Sequence, residues 1–236
     1  KAGIRIFVMG KTILTPKQLN FLELAQARPF IARNFYLTGG TALAEFYFKH
    51  RLSEDIDLFS EKEVNPSAVG AFLKAISKKL AVTEISRDNY FGLFTYQLRF
   101  KNGKTLKVDF NYYPFPKIEP GVHFGKLEVS SIYDIAVNKL QTISQRFRAR
   151  DYIDLYFIFN ETEYTPDKYL HRMRLDSQAK FDWPLAPKTL VAAFLRVNDL
   201  KKQDFPTMLV PFDRKKMEDF FAGLAKSLGT EIFTSD

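Results

Sequence analysis

Apolar residues recur along this chain with two periods, and the place where one gives way to the other divides it. Thr15-Pro16-Lys17-Gln18 predicts a helix start. Thr15 is the N-cap, Pro16 takes the first helical position and Gln18 closes a capping box. The helix runs to about Ala27, with Leu19 and Leu22 on its apolar side. A short apolar strand, Asn34 to Leu37, enters Thr38-Gly39-Gly40-Thr41. Ala42 to Lys49 returns to helical spacing, with Leu43, Phe46 and Tyr47 on one face. Asp55 to Phe59 reads as a strand. Asn65-Pro66 opens a helix to Leu80 that buries Val69, Phe72, Leu73 and Ile76. Ala81 to Ser86, Leu93 to Phe100 and Thr105 to Tyr113 read as strands. The last two flank Lys101-Asn102-Gly103-Lys104, whose Asn-Gly is a strong hairpin signal.

Pro114, Pro116 and Pro120 then break the pattern, and helical spacing takes over. Ser131 to Asp134 starts a helix through Gln145, and Ala149 to Asn160 forms a second. Thr165-Pro166-Asp167 starts a third, and Asp213 caps a last one ending near Gly229. The fold class expected is α+β: a mixed domain over residues 1–116 and a mainly helical domain over 117–236.

Composition narrows the classes. The 24 Phe and 11 Tyr can build a core, which argues against long disorder. No apolar run is long enough to span a bilayer, so no membrane partner is expected. Absence of cysteine removes disulfides, thiolate metal sites and thiol nucleophiles together. Three scattered histidines, His50, His123 and His171, argue against an all-histidine zinc site. The opening Lys1 to Val8 lacks the apolar core and small-residue cleavage site of a secretory signal, and Met9-Gly10 can serve as a start. A cytoplasmic location follows by default. Residues 1–116 carry 17 basic and 10 acidic side chains, whereas residues 117–236 carry 18 and 17. A basic rim suits a polyanionic ligand such as a nucleotide or RNA, although +8 overall can also be ordinary solubility charge.

The chemistry concentrates in Leu37 to Phe59. Gly39-Gly40 between a strand and a helix lets backbone approach a ligand closely, and the helix start offers N–H groups to an anion. Thr38 and Thr41 add hydroxyls. Asp55-Ile56-Asp57 places two carboxylates on one strand face, and such a pair repels unless a cation neutralises it. A hard divalent ion such as Mg²⁺ is the usual answer. In Leu106-Lys107-Val108-Asp109-Phe110 the apolar residues share one face and Asp109 lies on the other. Three carboxylates on neighbouring strands can hold two metals ~3.5–4 Å apart, one activating an attacking oxygen and one holding a triphosphate. Taken singly, a double glycine is a plain turn and an Asp-x-Asp a solvated edge. Their order is what carries information: strand, Gly-Gly, helix, Asp-x-Asp strand, then a later Asp on a strand.

That order resembles the polymerase-β-like nucleotidyltransferases. Gly39-Gly-Thr-Ala-Leu-Ala, with His50-Arg-Leu-Ser-Glu-Asp-Ile-Asp-Leu-Phe59, is similar to the AbiEii/AbiGii abortive-infection toxin family. So is Asp134-Ile-Ala-Val-Asn-Lys139-Leu, followed by Arg150-Asp151-Tyr-Ile-Asp154-Leu-Tyr. The resemblance covers about residues 12–160. It implies a minimal nucleotidyltransferase sheet with flanking helices, a helical C-terminal domain, and an active site between them. It implies Asp55 and Asp57 as metal ligands, with Gly39, Gly40 and Ser53 near the phosphates and Lys139 and Asp151 in the active site. Gly39-Gly40-Thr41 departs from the Gly-Ser common in the wider superfamily, which leaves the hydroxyl's role to Thr41 or Ser53. Family members are toxins of two-gene systems, usually beside a DNA-binding antitoxin, and some act on the acceptor end of tRNA.

The remaining residues read two ways. Lys139 sits at the edge of the apolar stripe formed by Ile132, Ile135, Ala136, Leu140 and Ile143. Arg146, Arg148 and Arg150 follow without an intervening acid, suiting a triphosphate or RNA backbone. Asp151 and Asp154, at helical spacing, are equally N-terminal dipole partners. Arg51 either reaches a phosphate or pairs with Glu54. The expected activity is therefore transfer of a nucleotide from an NTP to RNA, most plausibly tRNA, with two Mg²⁺ ions held by Asp55, Asp57 and Asp109. Asp109 is also the candidate base, and Lys139 neutralises the triphosphate. The alternatives are a small-molecule or protein acceptor, or a non-catalytic module that binds a partner.

Overall fold

Thr15 and Gln18 form the expected capping box: Gln18 N–H donates to the Thr15 hydroxyl at 3.3 Å, and Thr15 N–H donates to Gln18 Oε1 at 2.9 Å. They open α1 (Pro16–Gln26) in the computed structural model, which describes residues 12–234. The expectations for Lys1 to Val8 and for a start at Met9-Gly10 lie outside the described residues. The chain divides into two compact units, one ending at Ser131 and the other beginning at Ile132.

In the first unit, α1 is followed by α2 (Pro29–Asn34), a short helix where the sequence reading has a strand beginning at Asn34. That strand, β1, is Tyr36–Thr38. α3 (Gly39–Leu43) starts immediately after it and passes into a π-helical turn, Ala44–Phe48. Lys49 ends that turn in the left-handed region at φ 54°. The expected helix therefore begins three residues early and widens before it stops. β2 (Ile56–Ser60), α4 (Pro66–Leu80), β4 (Leu93–Phe100) and β5 (Thr105–Tyr112) stand within a residue of their expected places. β3 (Val82–Tyr90) is longer than expected, and two strands were not foreseen: β6 (Val122–Phe124) and β7 (Leu127–Val129).

These seven strands form one mixed sheet in the order β3-β4-β5-β2-β1-β7-β6. β2 pairs in parallel with β5 and antiparallel with β1, so the acidic strand lies in the interior of the sheet. β7 joins β1 in parallel, with Val129 opposite Leu37. One face packs on helices through apolar side chains at every second position, among them Leu58, Tyr96, Val108 and Phe110. Phe110 is wholly buried, with edge-on contacts to Phe35 at 5.2 Å and Tyr96 at 5.7 Å. Burying each such ring contributes about 1.5–3 kcal/mol. The opposite face carries Asp57, Thr95, Lys107 and Asp109.

The second unit is helical: α5 (Ile132–Gln145), α6 (Ala149–Glu161), α7 (Pro166–Phe181), α8 (Pro187–Leu195) and α9 (Arg214–Thr234). α8 was not foreseen. Its core includes Phe221 in ring contact with both Tyr152 and Phe194. The Tyr152 hydroxyl donates to the Ala193 carbonyl at 2.7 Å, and burial pushes its pKa up to about 12. α5 and α7 are also tied by a buried ion pair, Lys180 Nζ to Asp134 Oδ1 at 2.8 Å.

Candidate active site

Register across the sheet assembles the first cluster. Thr38 of β1 stands opposite Asp57 of β2, and Asp57 opposite Asp109 of β5. Asp109 in turn stands opposite Thr95 of β4. Side chains of aligned residues leave the same face, so one row runs Thr38, Asp57, Asp109, Thr95. The Thr95 hydroxyl donates to Asp109 Oδ1 at 2.6 Å. Asp55 immediately precedes β2, two residues from Asp57 on the same segment.

The glycines are explained by what they touch. Gly39 has φ +71°, a conformation that costs a side chain, and a Cβ there would overlap Asp57 Oδ2. At Gly40 a Cβ would overlap Arg51 Nη2 and come within 3.2 Å of Ser53 Oγ. The start of α3 is thereby laid directly against the acid on one side and Arg51 and Ser53 on the other. Arg51 is buried, and its guanidinium donates to the Leu52 carbonyl at 3.0 Å.

The Thr41 hydroxyl is buried and donates to the Asp55 carbonyl, and it lies 2.8 Å from Ser53 Oγ. It holds the approach to the acidic strand in place and is occupied in doing so. Gln18 does the same from α1: its Nε2 donates to the Ser53 carbonyl at 2.8 Å and the Glu54 carbonyl at 3.0 Å. The capping-box glutamine thus has a second duty at the site.

Sequence reasoning missed Lys107. Its ammonium donates to Asp109 Oδ2 at 2.7 Å and to Asp55 Oδ2 at 3.3 Å. Burial would lower its pKa, but the hydrogen bond and charge of Asp109, with those of Asp55, hold it above the ordinary lysine value. The signal was its place two residues before Asp109, hence on the same strand face.

The residues here whose donor chemistry could serve a divalent ion are the three acids. Asp55, Asp57 and Asp109 offer hard oxygens, and the ammonium drawn between Asp55 and Asp109 shows that positive charge is stabilised there. Among the described residues, however, no three His, Cys, Asp or Glu side chains converge into a metal-binding group.

The second unit holds a cluster of its own. Lys139 Nζ bonds Asp151 Oδ1 and lies 2.7 Å from Asp154 Oδ2. Both carboxylates are fully buried. Arg146 Nε reaches Asp151 Oδ2 at 3.3 Å from a half-exposed position. Burial would raise the Asp151 pKa, but Lys139 and Arg146 outweigh it and hold the carboxyl below its ordinary value. Lys139 and Asp151 are therefore brought together, with Asp154 as a third member. Arg146, read from sequence as part of an acid-free run, is engaged by Asp151.

Comparison with known proteins agrees with this geometry. Residues 23–226 match the family described as "Nucleotidyl transferase AbiEii toxin, Type IV TA system". An uncharacterised protein of Aquifex aeolicus is 27% identical over 165 residues, covering 68% of this chain and 74% of its own. A crystal structure described as that of a nucleotidyltransferase from H. pylori superposes with TM-score 0.56 at 22% identity. It covers 94% of this chain and 99% of its own. The JHP933 structure from Helicobacter pylori gives 0.51 at 20% identity, over 94% and 96%. At that identity the two structures speak for the fold. Among the described residues no helix is long and apolar enough to cross a membrane.

Proposed function

The chain belongs to the AbiEii nucleotidyltransferase toxin family and is a transferase; we propose that it moves a nucleotide from an NTP to an RNA acceptor, as the toxin of a two-gene system. The observation that carries the reading is the register of Asp57 with Asp109, with Gly39 backed against the Asp57 carboxylate. An acceptor oxygen attacks the α-phosphorus, its bond to phosphorus forms as the bond to the β-phosphate bridge breaks, and pyrophosphate leaves. The acceptor's proton passes to a carboxylate, for which Asp109 is the candidate.

Asp55, Asp57 and Asp109 would hold Mg²⁺, which when bound supplies Lewis-acid polarisation of the phosphate oxygens. Gly39 and Gly40 let the triphosphate come close to the backbone at the start of α3. Arg51 and Ser53 line the other side of that turn, while Thr41 and Gln18 fix its position. In the second unit Lys139, oriented by Asp151 and Asp154, is the candidate cation for a phosphate group. A DNA-binding antitoxin encoded beside it is the partner that the family implies, and a cytoplasmic site of action accords with these substrates.

RNA is favoured over a cationic small molecule because residues 1–116 carry 17 basic against 10 acidic side chains. The test is incubation with total RNA, Mg²⁺ and each α-labelled NTP in turn. Label in an RNA band, lost in Asp57→Asn protein, supports the proposal. Label found only in protein or small molecules overturns the acceptor and keeps the transferase.

A further inference from the structure

Lys107 is a charged member of the first cluster that the nucleotidyl-transfer scheme does not use. It projects from β5 on the same face as Asp109 and is about one-third exposed. Its ammonium contacts carboxylates from two separate segments, Asp109 on its own strand and Asp55 just before β2. An ammonium and a hard divalent cation seek the same thing from a carboxylate pair: charge neutralisation at oxygen. They differ in that the ammonium donates hydrogen bonds and is tethered.

We propose that Lys107 is a built-in counter-ion that competes with the divalent cation for Asp55 and Asp109, so that metal entry requires its ammonium to swing away. This rests on the metal-dependent reading of the site given above. Lys107 has the means to move, since its four-carbon stem is flexible and its exposure leaves room toward solvent. The ammonium serves two ends. It keeps the acids from repelling one another, and it sets a threshold of metal or metal–nucleotide concentration below which the acids remain occupied. Once displaced it stays beside the site as a positive charge, which penalises the cation and favours the more negative metal–triphosphate over the metal alone.

Manganese alone is the probe, because free Mn²⁺ is read directly by electron paramagnetic resonance. Full-length wild-type, Lys107→Met, Lys107→Arg and Asp57→Asn proteins are titrated without nucleotide. Lys107→Met is expected to bind Mn²⁺ at least ~10-fold more tightly than wild type, since one positive charge within a few ångströms is removed. Lys107→Arg, which keeps the charge, is expected within about threefold of wild type. In metal-free buffer Lys107→Met should melt below wild type, and Mn²⁺ should raise its melting temperature by more. Equal or weaker Mn²⁺ binding by Lys107→Met overturns the proposal. So does equal tightening in the Met and Arg variants, because the effect would then not be charge. If wild type binds Mn²⁺ and Asp57→Asn does not, the metal site stands whichever way Lys107 falls. Absence of binding to both wild type and Lys107→Met overturns the two readings together.

Discussion

Gly39 lies so near Asp57 that a single methyl group at residue 39 would overlap the Asp57 carboxylate. The backbone at Gly39 is also left-handed, at φ +71°. Two separate constraints, one conformational and one steric, thus act on the same residue, and both arise from bringing the end of β1 against β2. The turn and the acid form one device in which the glycine sets how close the start of α3 and the carboxylate can come.

Gly39→Ala is expected to impair activity more than folding. The left-handed conformation costs an alanine about 1–2 kcal/mol. Relief of the overlap must come from a shift of Asp57 or of the start of α3. Transfer of labelled nucleotide should fall by at least ~100-fold, in line with displacement of a reacting group by about an ångström. Thermal melting checks the other half: a drop of only a few degrees is expected. Loss of fold without loss of specific activity in the surviving protein would contradict the arrangement.

Asp57→Asn keeps the shape and removes one charge. If that carboxylate neutralises charge developing at phosphorus, transfer should fall by ~10³ or more. The row partners Thr38 and Asp109 are unchanged, so circular dichroism should match wild type. Near wild-type transfer in this variant would remove Asp57 from the reaction.

How far these features could be read in advance depends on the range of the forces involved. The capping box of Thr15 and Gln18, the Asn65 cap of α4 and the Asn102-Gly103 turn are local, and each appears where its residues predict. The acids and glycines were legible because the order of motifs is itself a local pattern. β6 and β7 were not: each is three residues long, they follow three prolines, and β7 owes its place to pairing with Leu37, far back in the chain. α8 has no side-chain hydrogen bond at its N-cap to announce it. Lys107 stood in plain view beside Asp109, yet its link to Asp55 depends on the parallel pairing of β2 with β5, which the sequence pattern does not encode. The second duty of Gln18 is non-local in the same way.

Lys139→Met tests the buried cluster of the second unit. It leaves Asp151 and Asp154 without their shared cation, and breaking such a buried pair costs about 3–5 kcal/mol. The pH dependence has a definite sign. The folded pKa of Asp151 is depressed, so its contribution is complete above the unfolded value of 3.8 and is lost as pH falls through the depressed folded value. Wild type should therefore lose stability as acid is taken below about pH 4. Lys139→Met should lose it from a higher pH, because burial then raises Asp151 with less opposition. Urea melts from pH 3 to 7 measure both limbs. Coincident pH profiles would show that Lys139 does not hold the Asp151 carboxyl in its charged form.

The acceptor is the last point open to a direct physical test. If RNA is bound through its phosphates, affinity falls with added salt by about 0.7 log units per log unit of salt for each phosphate neutralised on a single strand. Arg148 is exposed at the N-cap of α6, and its neighbour Arg146 pairs with the buried Asp151 carboxylate. The two arginines are therefore expected to behave differently. Arg148→Ala should lower the salt slope by about 0.7 and weaken RNA binding, with NTP binding unchanged. Arg146→Ala should lower the melting temperature as well, because Asp151 loses a partner that helps keep it ionised in a buried place. Filter binding of labelled total RNA between 50 and 300 mM salt, with melts of the same preparations, separates the two effects. A salt-independent affinity, or one untouched by Arg148→Ala and Arg146→Ala alike, would place the RNA contacts away from this segment.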